Sequence, residues 1–244
     1  MKYGVMFLIL ATLAVLVAAA CSSPIGRPGP PAVRPDQMAN FAFLYAENCA
    51  GCHGFEGKGG ASTALSDPTF LAIADDAAIR RTASNGVPGT PMPAFAQSAG
   101  GMLTDMQIGI LVRGVRSWAR PDLLRDANPP SYAAQPPGDP QRGAEVYATF
   151  CSACHGPNGR GGEKASSIVD RSYLSLVSDQ YLRTMVIAGR PELGAPDWRG
   201  DVPGRPMSAQ EVSDVVAWLS AQRPANSGPQ NPIPEAISST KGLP

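Results

Sequence analysis

The stretch Cys49-Ala50-Gly51-Cys52-His53 has the pattern C-x-x-C-H, and the same pattern returns 102 residues later as Cys151-Ser152-Ala153-Cys154-His155. The chain of 244 residues contains only two His and five Cys. The two motifs therefore hold both His and all but one of the Cys, so these scarce side chains are concentrated in two equivalent places.

The C-x-x-C-H pattern is typical of c-type haem attachment. The two thiols form thioether bonds to the haem vinyl groups, and the adjacent His supplies the proximal iron ligand. The sequence thus predicts two covalently attached haem c groups. We expect their attachment residues to be Cys49, Cys52 and His53 for the first haem, and Cys151, Cys154 and His155 for the second.

Two other uses of C-x-x-C fit the sequence less well. A thioredoxin-like redox motif would need a βαβ context, and the sequence shows none. A Cys₄ zinc site would leave both His without a role, and an exported protein seldom keeps four free thiols.

The segments around the two motifs also match, which indicates a duplicated unit of about 85 residues. The glycine pattern Gly54-x-x-Gly57-x-Gly59-Gly60 recurs as Gly156-x-x-Gly159-x-Gly161-Gly162, and Asp67-x-x-Phe70-Leu71 recurs as Asp170-x-x-Tyr173-Leu174. The last helix of each half is predicted to begin with a capping box, Thr104-x-x-Gln107 and Ser208-x-x-Glu211.

With these motifs, each half resembles a class I cytochrome c domain, and the whole is similar to membrane-anchored dihaem cytochromes c of bacterial respiratory chains. The resemblance covers residues 38–223. It implies an all-α fold of two tandem domains, 38–120 and 139–223, in which a few helices surround one haem and the first and last helices cross. A unit of about 85 residues can barely build its own core, and a covalently held haem would supply the missing apolar centre.

The periodic pattern predicts six longer helices and no convincing strand. They are 38–48, 75–85 and 105–119 in the first half, and 140–150, 179–188 and 209–222 in the second. Residues 121–138, with five Pro, are expected to form a semi-rigid linker.

The family places a small residue of the first helix against an aromatic residue of the last. The second half obeys with Gly143 and Trp218. In the first half the aligned pair is Phe41 and Gly114, so large and small are exchanged, which close packing tolerates because the summed volume is nearly kept.

The family completes the iron with a Met on the far side of the haem, and this ligand raises the reduction potential. Met92, in the Pro-rich loop Gly86-Val87-Pro88-Gly89-Thr90-Pro91-Met92-Pro93, fits that role as a metal ligand. In the second half Ala195 stands at the aligned position and has no donor. Met207 and Met185 are both predicted to pack rather than to bind iron, so the second haem is expected to be open or weakly ligated.

The chain begins with one positive charge and a run of 16 apolar or small residues, 5–20, which predicts an export signal at 1–20. The run is shorter than the ~20 residues of a membrane span. It ends at Ala18-Ala19-Ala20-Cys21, and a Cys here looks like a lipoprotein lipidation site, with ordinary cleavage after the Ala-x-Ala pattern as the alternative. A Pro-rich tether, 21–37, and a disordered tail, 224–244, are predicted at the two ends.

Twenty basic and twenty acidic residues give a formal net charge of zero, so nucleic acid is not an expected partner. Charged residues make up 16% of the chain, against ~25% in typical domains. By the resemblance, we expect a periplasmic, membrane-anchored protein that passes single electrons between membrane redox complexes, from a quinol-oxidising side to a terminal oxidase. No catalytic residue and no small-molecule substrate is identified beyond the haems. Two alternatives remain: a haem enzyme or gas- or peroxide-reactive protein acting at the second haem, and a purely structural second haem.

Overall fold

The computed structural model describes residues 33–134, 136–200, 202 and 204–224. It divides into two compact units, 1–38 and 39–244. In the first unit the described residues form one 3₁₀ turn, Pro35–Gln37. The predicted signal peptide, the lipidation site Cys21, most of the tether and nearly all of the tail lie outside the described residues.

In the described part of the second unit, the regular elements are helices joined by turns and loops. Its α-helices are α1 (Phe41–Asn48), α2 (Ala50–His53), α3 (Pro68–Ile73), α4 (Asp76–Asn85), α5 (Asp105–Arg116), α6 (Pro140–Phe150), α7 (Ser152–His155), α8 (Arg171–Leu176), α9 (Asp179–Ala188) and α10 (Ala209–Ala221). Short 3₁₀ turns lie at Phe55–Gly57, Gln97–Ala99, Pro121–Leu124, Pro157–Gly159 and Pro191–Leu193. Among the described residues the only β-type pairings are two isolated bridges, Ala96 with Leu103 and Arg190 with Ala195. The all-α prediction is confirmed.

The longer helices fall close to their predicted positions. Two ends differ by three residues: α5 ends at Arg116 rather than at 119, and α1 begins at Phe41 rather than at 38. The Asn40 side chain caps α1 by accepting a hydrogen bond from Phe43 N at 2.9 Å. Both predicted capping boxes are present, at Thr104 and at Ser208. Local chemistry therefore fixes most helix ends.

Two short helices, α3 and α8, escape the sequence prediction. The Asp67 carboxylate accepts from Phe70 N at 2.8 Å, and the Asp170 carboxylate accepts from Tyr173 N at 3.0 Å. The repeated Asp-x-x-aromatic pattern is thus an N-cap in both halves, a signal that was present in the sequence.

The first and last helices of each half cross at a glycine, as predicted. In the first half a Cβ on Gly114 of α5 would lie 2.0 Å from the Phe41 ring of α1. In the second half a Cβ on Gly143 of α6 would lie 2.1 Å from the backbone oxygen of Asp214 and 2.7 Å from Trp218 Cβ. The exchange of large and small residues between the halves is confirmed.

The first half recovers its aromatic one helical turn later, through Trp118. Its ring packs on Phe41 and Tyr45 with centroids 5.4 and 5.1 Å apart, and it covers Gly57. In the second half Trp218 stacks on Tyr147 and approaches Gly159, the equivalent glycine. The same space is therefore filled from two different sequence positions.

An arginine at the end of each half ties its two middle helices together. Arg116 donates to the carbonyls of Leu71 and Ala74, both at 2.5 Å, and to Asp76 at 2.7 Å. Arg223 makes the equivalent bonds in the second half, to Leu174 O, Val177 O and the Asp179 carboxylate. The C-terminal end of α3 or α8 is thereby joined to the N-terminal part of α4 or α9.

The segment between the halves packs against both of them. Leu124 belongs to the buried cluster of the second half, and Ile73 of α3 packs on that cluster. Arg183 of α9 is fully buried and donates to the carbonyls of Ser131 and Tyr132. The Tyr132 side chain lies close to that of Thr82 in α4. This arrangement joins α4 of the first half to α9 of the second.

The helix crossing of the second half can be tested with Gly143→Ala. The added methyl group meets backbone that cannot move aside, so we expect a loss of about 1–3 kcal/mol in the free energy of unfolding. Circular dichroism during denaturation would measure it. The matched control is Gly51→Ala, because nothing lies within 4 Å of the Cβ it would add. An equal denaturation midpoint for the two variants would contradict the close crossing.

Candidate haem sites

Each C-x-x-C-H motif forms a single helical turn at the end of a longer helix. Cys49 ends α1, where its N–H donates to Tyr45 O at 2.8 Å, and the turn α2 then carries His53. Cys151 ends α6 in the same way, and α7 carries His155. The turn is closed by a hydrogen bond from His53 N to Cys49 O and from His155 N to Cys151 O, both at 3.0 Å. Two thiols and one imidazole therefore sit on one rigid turn in each half.

Both imidazoles are held by a backbone carbonyl. His53 Nδ1 lies 2.8 Å from Thr63 O, and His155 Nδ1 lies 2.9 Å from Ser166 O. A carbonyl oxygen only accepts, so Nδ1 carries the proton and donates it, and Nε2 keeps its lone pair. This is the tautomer that an iron ligand needs. Burial also lowers the pKa of His53, only partly offset by the bond to Thr63, which favours the neutral ring.

A tyrosine holds the residue after each His. Tyr45 donates its hydroxyl to Gly54 O at 3.0 Å, and Tyr147 donates to Gly156 O at 2.5 Å. Gly54 has φ = +79°, and a Cβ there would lie 1.9 Å from Lys58 O, so the chain turns too tightly for a side chain. The sequence prediction missed these tyrosines, although each stands four residues before the first Cys of its motif.

The four motif thiols are free and partly accessible in the described structure. Burial raises the pKa of Cys49 and of Cys151 to about 11, and the neighbouring motif thiol adds to the effect. Within the described residues, no three His, Cys, Asp or Glu side chains gather into a site for a metal ion. Paired thiols beside an imidazole with a free Nε2 are the donor set that haem c requires.

The loops that follow α4 and α9 share one backbone arrangement. Val87 N donates to Met92 O at 3.0 Å, and Arg190 N donates to Ala195 O at 3.0 Å. The preceding glycine has a positive φ in both halves, +65° at Gly86 and +69° at Gly189. The structure therefore places Ala195 where the first half has Met92, as the alignment on the prolines predicts.

The two other methionines of the second half differ in their surroundings. Met207 is 7% exposed and belongs to a cluster with Trp198 and Val212. Its N–H donates to Trp198 O at 2.8 Å, as Leu103 N donates to Phe95 O in the first half. The packing role predicted for Met207 is confirmed. Met185 is partly buried on α9 and is not among the side chains of the two clusters described for this half, so its packing role stays a prediction.

Comparison with known protein families decides the family. The family described as cytochrome c oxidase, cbb3-type, subunit III matches residues 36–113 and 138–219, well over half of the chain. The chain belongs to this family. Its cofactors are two covalently attached haem c groups, one for each half.

Curated relatives carry the same description. The cbb3-type cytochrome c oxidase subunit FixP of Azorhizobium caulinodans is 32% identical over 53% of this chain and 42% of its own. The subunit FixPc of Rhizobium leguminosarum bv. viciae is 28% identical over 69% of this chain and 57% of its own. The subunit CcoP of Azospirillum sp. is 31% identical over 51% of this chain and 41% of its own. The chain thus spans about half the length of these relatives.

A solved structure from Kuenenia stuttgartiensis, of a reducing HAO-like protein complex, matches 80% of this chain and 99% of its own, with 20% identity and a TM-score of 0.41. That likeness is too distant to support an argument. In the described part of the chain, no helix is long and apolar enough to cross a membrane.

The assignment of attachment residues can be tested by removing one pair of thiols. The double substitution Cys151→Ala and Cys154→Ala should reduce the covalently bound haem from two groups to one, because only the first motif still offers thioether bonds. Intact mass of the denatured protein measures this regardless of how well the second half folds. Cys21→Ser, which changes a thiol outside both motifs, should keep two haems. A double variant that still carries two covalent haems would contradict the assignment.

Proposed function

We propose that this chain is an exported dihaem cytochrome c that transfers single electrons between membrane respiratory complexes, from the quinol-oxidising side to a terminal oxidase. The observation that carries the proposal is the pair of imidazoles whose Nδ1 is bound to a backbone carbonyl while Nε2 stays free. The relatives named as oxidase subunits support the oxidase side.

In this proposal each group has a definite role. Cys49, Cys52, Cys151 and Cys154 hold the haems through thioether bonds, His53 and His155 are the proximal ligands, and Met92 is the sixth ligand of the first haem. When bound, haem c supplies reversible one-electron chemistry at its iron. The protein contributes orientation: the carbonyls of Thr63 and Ser166 fix both imidazoles.

Hydrogen bonds within the loop that carries Met92 restrain it independently of any bond to iron. The Thr90 hydroxyl donates to Val87 O at 2.8 Å and accepts from Met92 N at 3.3 Å. Pro91 and Pro93 restrict the backbone on either side, which reduces the conformational entropy that the loop loses on folding. A Met92 side chain held in one position would move little when the iron gains or loses an electron. A small structural change of this kind favours fast electron transfer.

The contacts between the halves support transfer within the chain. Buried Arg183 donates to the carbonyls of Ser131 and Tyr132, and the Tyr132 side chain lies close to Thr82 of the first half. A fixed relation between the haem-bearing turns avoids a search for the right orientation at each transfer.

The net charge of each half determines whether the protein can attract a redox partner from a distance. Residues 38–120 carry six basic and six acidic side chains, and residues 140–223 carry nine of each. Neither half offers a net charge that would steer a soluble partner from a distance. Attachment to the membrane through a lipidated Cys21 would instead keep the protein close to its partners.

The electron-transfer proposal is tested with membranes of a strain that lacks this protein. The reduced full-length protein, mixed with such membranes in air, should be oxidised rapidly, because the terminal oxidase accepts its electrons. Absorption at the haem bands follows the reaction. In membranes supplied with a quinol donor, Met92→Ala should slow the reduction of the first haem, since its potential falls when the thioether is lost. Membranes that oxidise an artificial donor but leave the protein reduced would contradict the proposal.

The anchor proposal is tested by partition into detergent. Lipid on Cys21 should carry the mature protein into the detergent phase, and Cys21→Ser should move it to the aqueous phase. Both forms should contain two haems, so that misfolding is not the cause of the change. A mature wild-type protein that stays in the aqueous phase would mean that ordinary cleavage removes the leader.

A further inference from the structure

The loop of the second half that replaces Met92 with Ala195 closes on itself. Arg190 N donates to Ala195 O at 3.0 Å, and Ala195 N donates to Arg190 O at 3.1 Å. Between these residues lie the 3₁₀ turn Pro191–Leu193 and Gly194 in the left-handed conformation, with φ = +81°. The backbone of the loop is therefore fixed by its own hydrogen bonds.

The same loop is also fastened to the first half, through Arg190. Its guanidinium donates to Gly60 O at 2.9 Å and pairs with Glu192 at 2.5 Å, and the side chain is 17% exposed. Gly60 is packed on the first haem-attachment turn, since a Cβ there would lie 2.3 Å from Cys52 O. The first half has Val87 at the position of Arg190, which has no such group to donate.

The contact between Arg190 and Gly60 O matters because the loop of the second half has no Met to restrain it. In a His/Met site the bond from sulfur to iron holds the loop down. Where Ala replaces Met, that bond is lost, and an unrestrained loop could shift and bring another side chain towards the iron. Arg190 and the paired backbone of Arg190 and Ala195 hold this loop in place without it.

Most described side chains of the second half that could be the sixth ligand of the iron have another role or lack a ligand atom. His155 is the proximal ligand, Met207 lies in the hydrophobic cluster, and Ala195 ends at Cβ. Compared with Met, Ala lacks the three heavy atoms beyond Cβ, and a diatomic molecule needs about that much room. Met185 is the one methionine of this half whose side chain is outside the described clusters.

We propose that the second haem has an open coordination position, kept open by Arg190, that binds a neutral diatomic ligand when the iron is ferrous. The proposal rests on the proposed attachment at Cys151, Cys154 and His155. It goes beyond electron transfer because it assigns a ligand-binding site, with Arg190 as its positioning residue.

Carbon monoxide is the probe for the open position. The dithionite-reduced full-length protein should bind one carbon monoxide for every two haems, measured by the change in the haem absorption bands. Ala195→Met should abolish this binding, because the thioether fills the position. Zero carbon monoxide in the wild type would overturn the open site, and two per chain would overturn its assignment to Ala195.

Met185→Leu tests whether Met185 is the sixth ligand of the second haem. If the proposal is right, the substitution leaves the carbon monoxide stoichiometry at one. If Met185 is the sixth ligand, the wild type binds none and the variant binds one, which refutes the proposal.

Arg190→Gln tests the positioning role. Loss of a charge-assisted hydrogen bond should let the loop move into the open position and weaken carbon monoxide binding about tenfold. The control is Arg199→Gln on the same loop, since the described hydrogen bonds of Arg199 join it only to Asp197. Circular dichroism and haem content should be unchanged in both variants. Equal affinity in the two would overturn the role of Arg190.

These outcomes are independent of the electron-transfer proposal. A failure of the open site leaves two covalent haems and normal oxidation by membranes, with altered carbon monoxide stoichiometry. A failure of the electron-transfer proposal appears as slow oxidation by membranes, whatever the carbon monoxide result.

Discussion

The hydrogen bond from each imidazole Nδ1 to a loop carbonyl is the interaction on which both halves depend. It fixes the tautomer, and so leaves on Nε2 the lone pair that a proximal iron ligand would use. The carbonyls of Thr63 and Ser166 reach the rings only because the intervening loops turn sharply at glycines, held by the hydroxyls of Tyr45 and Tyr147. Those tyrosines in turn pack on Trp118, which follows α5, and on Trp218 of α10, so contacts beside the helix crossing support the turn that carries each imidazole.

The helix starts and the glycine contacts between the first and last helices could be predicted from sequence, because short local patterns encode them. Capping boxes set the start of α5 and α10, and the exchange of Phe41 and Gly114 for Gly143 and Trp218 is visible once the halves are aligned. The ties made by arginine could not be predicted in the same way. Arg116 and Arg223 make equivalent bonds although they stand 107 residues apart, whereas the segments around them repeat at 103 or 104. Because the two arginines are displaced by about one helical turn relative to the repeat, they do not align, and a comparison of the two halves does not pair them.

The joining of the halves escaped the sequence for a related reason. Arg183 is fully buried, and the described acceptors of its guanidinium are Ser131 O, Tyr132 O and the Ser213 hydroxyl, rather than a carboxylate. Burial lowers its pKa to about 10. Backbone acceptors have no side-chain signature, so a Pro-rich segment that looks like a spacer becomes a packed element. The duplicated frame also carries two different loops after α4 and α9, one with Met92 and one with Ala195, and Arg190 bonds the second loop to Gly60 O.

Electron paramagnetic resonance of the fully oxidised, full-length protein tests this inequality of the two sites most directly. The spin state of a ferric haem reports its sixth ligand, and integration counts each kind without any added probe. The account predicts equal amounts of low-spin haem, from the site with His53 and Met92, and of high-spin haem, from the site with His155 and Ala195. Two low-spin signals in equal amounts, with no high-spin component, would contradict it.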